Sequence, residues 1–93
     1  MLSFLTQLEA VIHSRKEKMP EGSYATSLFK DGLDRILRKI GEESGELIIA
    51  AKNQDKTQIS NEAADLLFHM IILLHQQGMS LTDVVEVLRQ RHE

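Results

Sequence analysis

The chain has no cysteine, so neither a disulfide nor a thiolate metal site is available to it. It has one proline, Pro20, so punctuation by that residue is confined to one stretch. Long apolar runs are missing too. None exceeds the five residues of Met70 to Leu74, against the roughly 20 that a membrane span needs. The opening "MLSFLTQLEAVIHSRKE" lacks a basic leader, and Gln7 and Glu9 interrupt its apolar positions, which excludes a signal peptide. Excess positive charge is absent as well. The net charge is −3 and the pI about 5.8, which argues against a bulk nucleic-acid-binding surface. The expectation is a soluble, cytoplasmic protein with neither membrane nor nucleic acid as partner.

With 93 residues, residues 1–93 read as a single domain whose core is marginal unless something supplements it. The supplement is another chain, an oxygen-ligated metal or unusually good helix packing. Starting at Met1 and ending at Glu93, the chain reads as free-standing.

Apolar residues at Leu2, Leu5, Leu8 and Ile12 have helical spacing, closed by the charged run Arg15 to Lys18. "MPEGSYATSLFKDG" (19–32) contains Pro20, Gly22 and Gly32, and reads as a loop with room for one helical turn at Ser27 to Lys30. A second helix is expected from about Leu33 to Lys52, with Asn53 as its C-cap. A third runs from about Gln58 to Gln77, with Gly78 in the left-handed position that follows a helix. The last opens on "SLTD", with Ser80 as N-cap and Asp83 completing a capping box. Between Ala63 and Leu74 the only strongly polar residues are Asp65 and His69. A helix apolar nearly all round must be covered on nearly all sides. The fold expected is therefore all-α, a four-helix bundle completed by dimerisation.

Five carboxylates border this apolar sequence. On a helix turning about 100° per residue, Glu42, Glu43 and Glu46 fall within an arc of about 100°. Glu62 and Asp65 lie about 60° apart, with Leu66, His69 and Leu73 on their side. Two helices joined by a tight turn near residue 55 lie antiparallel. At a rise of about 1.5 Å per residue, Glu46 and Asp65 then stand at nearly the same height. Taken alone, "EESGE" also reads as a solvated face, and Glu62 as a complement to a helix N-terminus. Asp65, set among Ala63, Ala64, Leu66 and Leu67, is expected to be buried, where an unpaired carboxylate is costly. A divalent cation resolves that cost and the mutual repulsion, and oxygen ligands suit Mg²⁺ or Mn²⁺. A di-iron site calls for Glu-x-x-His pairs, and none occurs.

Glu-Glu-x-x-Glu, fifteen residues and then Glu-x-x-Asp resembles the MazG-like all-α nucleoside triphosphate pyrophosphatases. "DGLDRILRKIGEESGELIIAAKN" with "NEAADLLFHMIILLHQQGMSLTDVVEVLRQRH" looks like the phosphoribosyl-ATP pyrophosphatase family, over roughly residues 20 to 92. "GSYATSLF" is similar to that family's Ser-Tyr-Thr-x-x-Leu loop, with Ala25 where Thr is usual. The resemblance implies an enzyme that hydrolyses 1-(5-phosphoribosyl)-ATP between its α and β phosphates, the second step of histidine biosynthesis. It also implies Mg²⁺ dependence and a homodimer; the oxygen-only ligand set admits Mn²⁺ as a substitute. By position in the family motif, Glu43, Glu46, Glu62 and Asp65 are metal ligands. Glu42 is a further ligand or the group that orients or deprotonates water.

Basic groups are needed for the phosphates. Lys39 shares the Glu42/Glu46 side one turn earlier; the alternative is an ion pair with Glu43. Lys52 and Asn53 are substrate-binding candidates or simply cap their helix, and Arg35 is a candidate one turn further away. Arg89, Arg91 and His92 reach a partner's site or form a solvated helix end. His69 is expected to be a buried, hydrogen-bonded structural histidine. Gly41 and Gly45 are expected to let another helix approach closely. Two other readings remain at this stage: a house-cleaning pyrophosphatase of nucleoside triphosphates, and a catalytically silent helical dimer.

Overall fold

The computed structural model describes residues 2–92; Met1 and Glu93, the ends of the expected 1–93 domain, lie outside the described residues. Those residues form five helices and no strand: α1 (Leu2–Lys18), α2 (Tyr24–Asp31), α3 (Leu33–Lys52), α4 (Lys56–Gln76) and α5 (Leu81–Arg91). The all-α expectation holds, and α3 has the expected bounds.

The count of helices does not hold, because α2 occupies what reads as a loop. Ser23 is extended and its hydroxyl accepts from Thr26 N at 3.2 Å, while Gly32 (φ 95°) ends the helix with its N–H on Leu28 O. Pro20, Gly22 and Gly32 bracket the helix without entering it. The eight residues between them bury Ala25, Thr26 and Leu28. Burial against α1, α3 and α4 supplies the stability that so short a helix lacks alone.

The turn between α3 and α4 is a Schellman motif. Gln54 N donates to Ala51 O at 3.1 Å and Asp55 N to Ala50 O at 3.2 Å. Asp55 then caps α4, accepting from Gln58 N at 3.1 Å, so that α4 starts two residues before the expected Gln58. Asn53 is the C-cap of α3, as expected. The left-handed residue is Gln54 (φ 56°), whereas the equivalent turn after α4 uses Gly78 (φ 74°), also as expected. At α5 the backbone N–H of Ser80 donates to Asp83 Oδ2 at 2.9 Å.

Ile12, Ala25, Leu28, Ile36, Ile71 and Ile72, from four helices, form the core, with α3 and α4 the most extensive pair. α5 buries no residue. The radius of gyration, 14.3 Å, exceeds the about 12 Å of a compact domain of this length. Large apolar side chains stay exposed on α3 and α4 (Ile48, Ile49, Leu67, Met70) and on α5 (Val85, Val87, Leu88). Among the described residues no helix packs against Gly41 or Gly45; a Cβ at either would meet nothing within 4 Å.

Candidate active site

The hairpin of α3 and α4 brings the acidic residues of both helices together. The carboxyl group of Glu62 is held above its ordinary pKa of 4.5. The first cause is the hydrogen bond it forms with Glu46 when protonated. Partial burial follows, then the negative charges of Glu46, Asp65 and Glu43. Glu43, Glu46 and Asp65 are thus near enough to Glu62 to act on it, and Glu46 and Glu62 line one cleft. Glu42 pairs with Lys39. Its Oε2 lies 3.8 Å from Lys39 Nζ, and its side chain is half exposed.

The buried acid is not the expected one. Asp65 is exposed in this chain, together with its neighbours Ala63, Ala64 and Leu67. Residues adjacent in sequence point to different sides of a helix, so apolar neighbours did not bury it. Glu43 is the buried carboxylate, 6% exposed. Its Oε1 lies 2.5 Å from Nδ1 of His69, and His69 is 3% exposed. That approach is off the hydrogen-bonding direction, because Nδ1 lies 2.9 Å from the backbone oxygen of Asp65. Glu43 Oε1 therefore has no aligned hydrogen bond, and neither has the buried Glu62 Oε2. Two orphaned anionic oxygens, one from each helix, are the groups a cation would satisfy.

On its other side, Nε2 of His69 pairs with the hydroxyl of Tyr24 at 2.9 Å. His69 is thus the buried, hydrogen-bonded residue expected. Tyr24 had no expected role; its pairing spans 45 residues, a distance over which local spacing carries no signal.

A cleft beside the acids is lined by Glu46, Ile49, Ala50, Asn53, Asp55, Gln58 and Glu62. Asn53 therefore faces the same space as two of the carboxylates. Lys52 is exposed at the helix end and does not line the cleft. Lys39 pairs with Glu42 rather than Glu43. Arg35 ties α3 to α2: its Nη1 is 2.5 Å from Asp31 Oδ2 and 3.2 Å from Ser27 Oγ, and its guanidinium lies 5.6 Å from the centre of the Tyr24 ring. Ala25, where the resembled loop has Thr, is buried in the core. Arg89, Arg91 and His92 are exposed on α5 and its cap.

The chain has sequence relatives among known proteins. The phosphoribosyl-ATP pyrophosphatase of Leptospira biflexa serovar Patoc is 50% identical over 91 residues, 98% of this chain and 99% of that protein. The histidine biosynthesis bifunctional protein HisIE of Bacillus subtilis is 52% identical over 88 residues, and its counterpart in Escherichia coli is 46% identical over 90. This chain spans 42% and 44% of those two proteins, less than half their length. The model of the phosphoribosyl-ATP pyrophosphohydrolase family matches residues 5–92. That match takes in all five carboxylates, His69 and Tyr24, and on it the chain belongs to the phosphoribosyl-ATP pyrophosphohydrolase family.

Proposed function

We propose that this chain hydrolyses 1-(5-phosphoribosyl)-ATP to 1-(5-phosphoribosyl)-AMP and pyrophosphate, a step of histidine biosynthesis in the cytoplasm, as a Mg²⁺-dependent homodimer. The observation that carries the reading is the convergence of Glu43, Glu46, Glu62 and Asp65, with orphaned buried oxygens on Glu43 and Glu62. The names of the relatives supply the substrate.

The donor set fits a hard dication, being oxygen only. Among the described residues no group of three such side chains is placed to hold a metal ion by itself. A smaller protein set is compatible with Mg²⁺, which keeps several waters and takes phosphate oxygens beside one or two carboxylates. Glu43, Glu46, Glu62 and Asp65 would hold it. When bound, the ion neutralises the triphosphate and the charge that builds on the leaving pyrophosphate. Glu42, exposed and paired with Lys39, is the carboxylate left to orient or deprotonate the attacking water. Asn53 offers its amide to whatever occupies the cleft.

Support for a second copy lies in the unpartnered Ile48, Ile49, Leu67 and Met70, the open flank at Gly41 and Gly45, and the unburied α5. Sedimentation at low micromolar concentration is expected to give a dimer; a stable folded monomer would contradict it. Pyrophosphate release from phosphoribosyl-ATP is compared with release from a panel of ordinary nucleoside triphosphates, with and without EDTA. Preference for phosphoribosyl-ATP, abolished by EDTA and restored by Mg²⁺, is the expected result. Equal turnover of ordinary triphosphates would move the chain to house-cleaning hydrolysis, and activity surviving exhaustive chelation would remove the metal.

A further inference from the structure

Three helices meet at one imidazole. From α4, His69 reaches Glu43 on α3, the backbone oxygen of its own Asp65, and the hydroxyl of Tyr24 on α2. A carbonyl oxygen only accepts, so the proton on Nδ1 is assigned by its partner Asp65 O. In the neutral ring Nε2 is then the acceptor, and the Tyr24 O–H donates to it. The ring cannot rotate without losing both bonds. Phe68 packs edge-on to it at 5.3 Å, and Tyr24 is itself stacked on Phe68 at 6.0 Å.

We infer that His69 and Tyr24 are positioning residues for the metal site. His69 fixes the Glu43 carboxylate of one helix against the Asp65 backbone of the other, and Tyr24 fixes His69. The inference rests on the metal-dependent reading above. Its physical ground is that Glu43 Oε1 has no aligned hydrogen bond of its own. Contact with the Nδ1–H edge is what restrains that carboxylate while the site is apo. A carboxylate free to change rotamer would have to be ordered at the moment a cation binds, and ordering costs affinity. Outer partners of this kind typically change metal affinity by about 10- to 100-fold when removed. The ring of Tyr24 is half exposed, so the restraint extends from the buried acid to the surface of α2.

The test is Mn²⁺ binding without substrate, by calorimetry, on wild type, Tyr24→Phe, His69→Asn and His69→Gln. Asparagine places an N–H near the Nδ1 position and loses the link to Tyr24; glutamine does the reverse. The expected order is wild type tightest, then Tyr24→Phe and His69→Asn, each weaker by up to about tenfold because each loses the Tyr24–His69 bond, and His69→Gln weakest, by about 10- to 100-fold. Apo melting is recorded on the same samples, so that loss of fold is separated from loss of affinity. Variants that melt earlier but bind Mn²⁺ as wild type does make the cluster merely structural and overturn the inference, leaving the proposed function intact. An asparagine variant as weak as the glutamine variant overturns it too. Wild type that binds no Mn²⁺ defeats the metal-dependent reading and this inference with it.

Discussion

One carboxylate oxygen of Glu9 lies 2.9 Å from Nε2 of His75, across 66 residues of chain. The same Oε2 accepts from the backbone N–H of Leu81 at 2.7 Å. Glu9 thereby ties α1 to the end of α4 and satisfies an orphan donor in the first turn of α5. Nearby, Lys16 Nζ donates to His75 O at 2.6 Å. α5 has no fully buried residue and meets the core through half-buried Leu81, so this polar junction adds a second tether of that helix to its own chain.

Glu9→Ala is therefore expected to lower stability by about 1–3 kcal/mol, the cost of leaving buried partners of a charged group unpaired. Urea unfolding measures it. Glu9 lies away from the acidic hairpin, so Mn²⁺ affinity of the folded protein is expected to stay within about twofold of wild type. An unchanged unfolding midpoint would mean that the junction adds nothing.

Gln54 occupies the left-handed position that Gly78 fills in the equivalent turn. A side chain there costs about 1–2 kcal/mol relative to glycine. Nothing else at Gln54 offsets that cost, since its backbone bond to Ala51 O does not need the side chain. Gln54→Gly is expected to raise stability by up to about 1 kcal/mol, after the greater flexibility of the unfolded chain is counted. Chemical denaturation reads the sign; a destabilised variant would contradict it.

Much of this architecture is legible in the sequence. The stripe Leu33, Ile36, Leu37 and Ile40 and the Asn53 cap bounded α3, because both are local signals. Convergence of the acids followed from helix geometry and one short turn. What escaped depends on contacts between distant segments. α2 looked like a loop because Pro20, Gly22 and Gly32 flank it, and its stability comes from burying Ala25 and Leu28 against other helices. Glu43 rather than Asp65 is the buried acid because residues adjacent in sequence face different sides of a helix. Tyr24–His69 and Glu9–His75 pair across 45 and 66 residues, beyond the reach of any periodicity.

The raised pKa of Glu62 has a definite consequence for pH. The native state holds this proton more tightly than the unfolded chain does, principally through the hydrogen bond to Glu46. Its contribution to apo stability is complete below about 4.5, declines as pH rises toward the raised folded value, and is flat above it. Glu62→Gln removes the titration, so the variant's apo stability is expected to fall less than wild type across that window. Melting curves of both proteins through the weakly acidic range test this. Saturating Mg²⁺ is expected to reverse the wild-type trend, because the ion competes with the proton for the same oxygens. Parallel wild-type and variant curves would show that Glu46 and Glu62 do not interact.

Asp65→Asn separates a ligand from a scaffold residue most cleanly. The substitution nearly conserves volume and removes one charge. Asp65 is exposed in this chain and adds negative charge beside Glu62, so its loss leaves no buried group unpaired. Apo stability is expected to stay within about 0.5 kcal/mol of wild type, as for an ordinary surface change, or to rise slightly as repulsion is relieved. The backbone oxygen that His69 contacts is retained, so the imidazole keeps its partner. If the carboxylate is a ligand, the metal-induced rise in melting temperature shrinks. Turnover then falls by about a hundredfold or more, the scale seen when one stabilising group at a reacting centre is removed. A scaffold role gives the opposite pattern, with reduced apo stability and near-normal turnover in the folded fraction. Apo melting, metal-bound melting and turnover on this one variant decide between the two, and full activity with an unchanged metal response would remove Asp65 from the site.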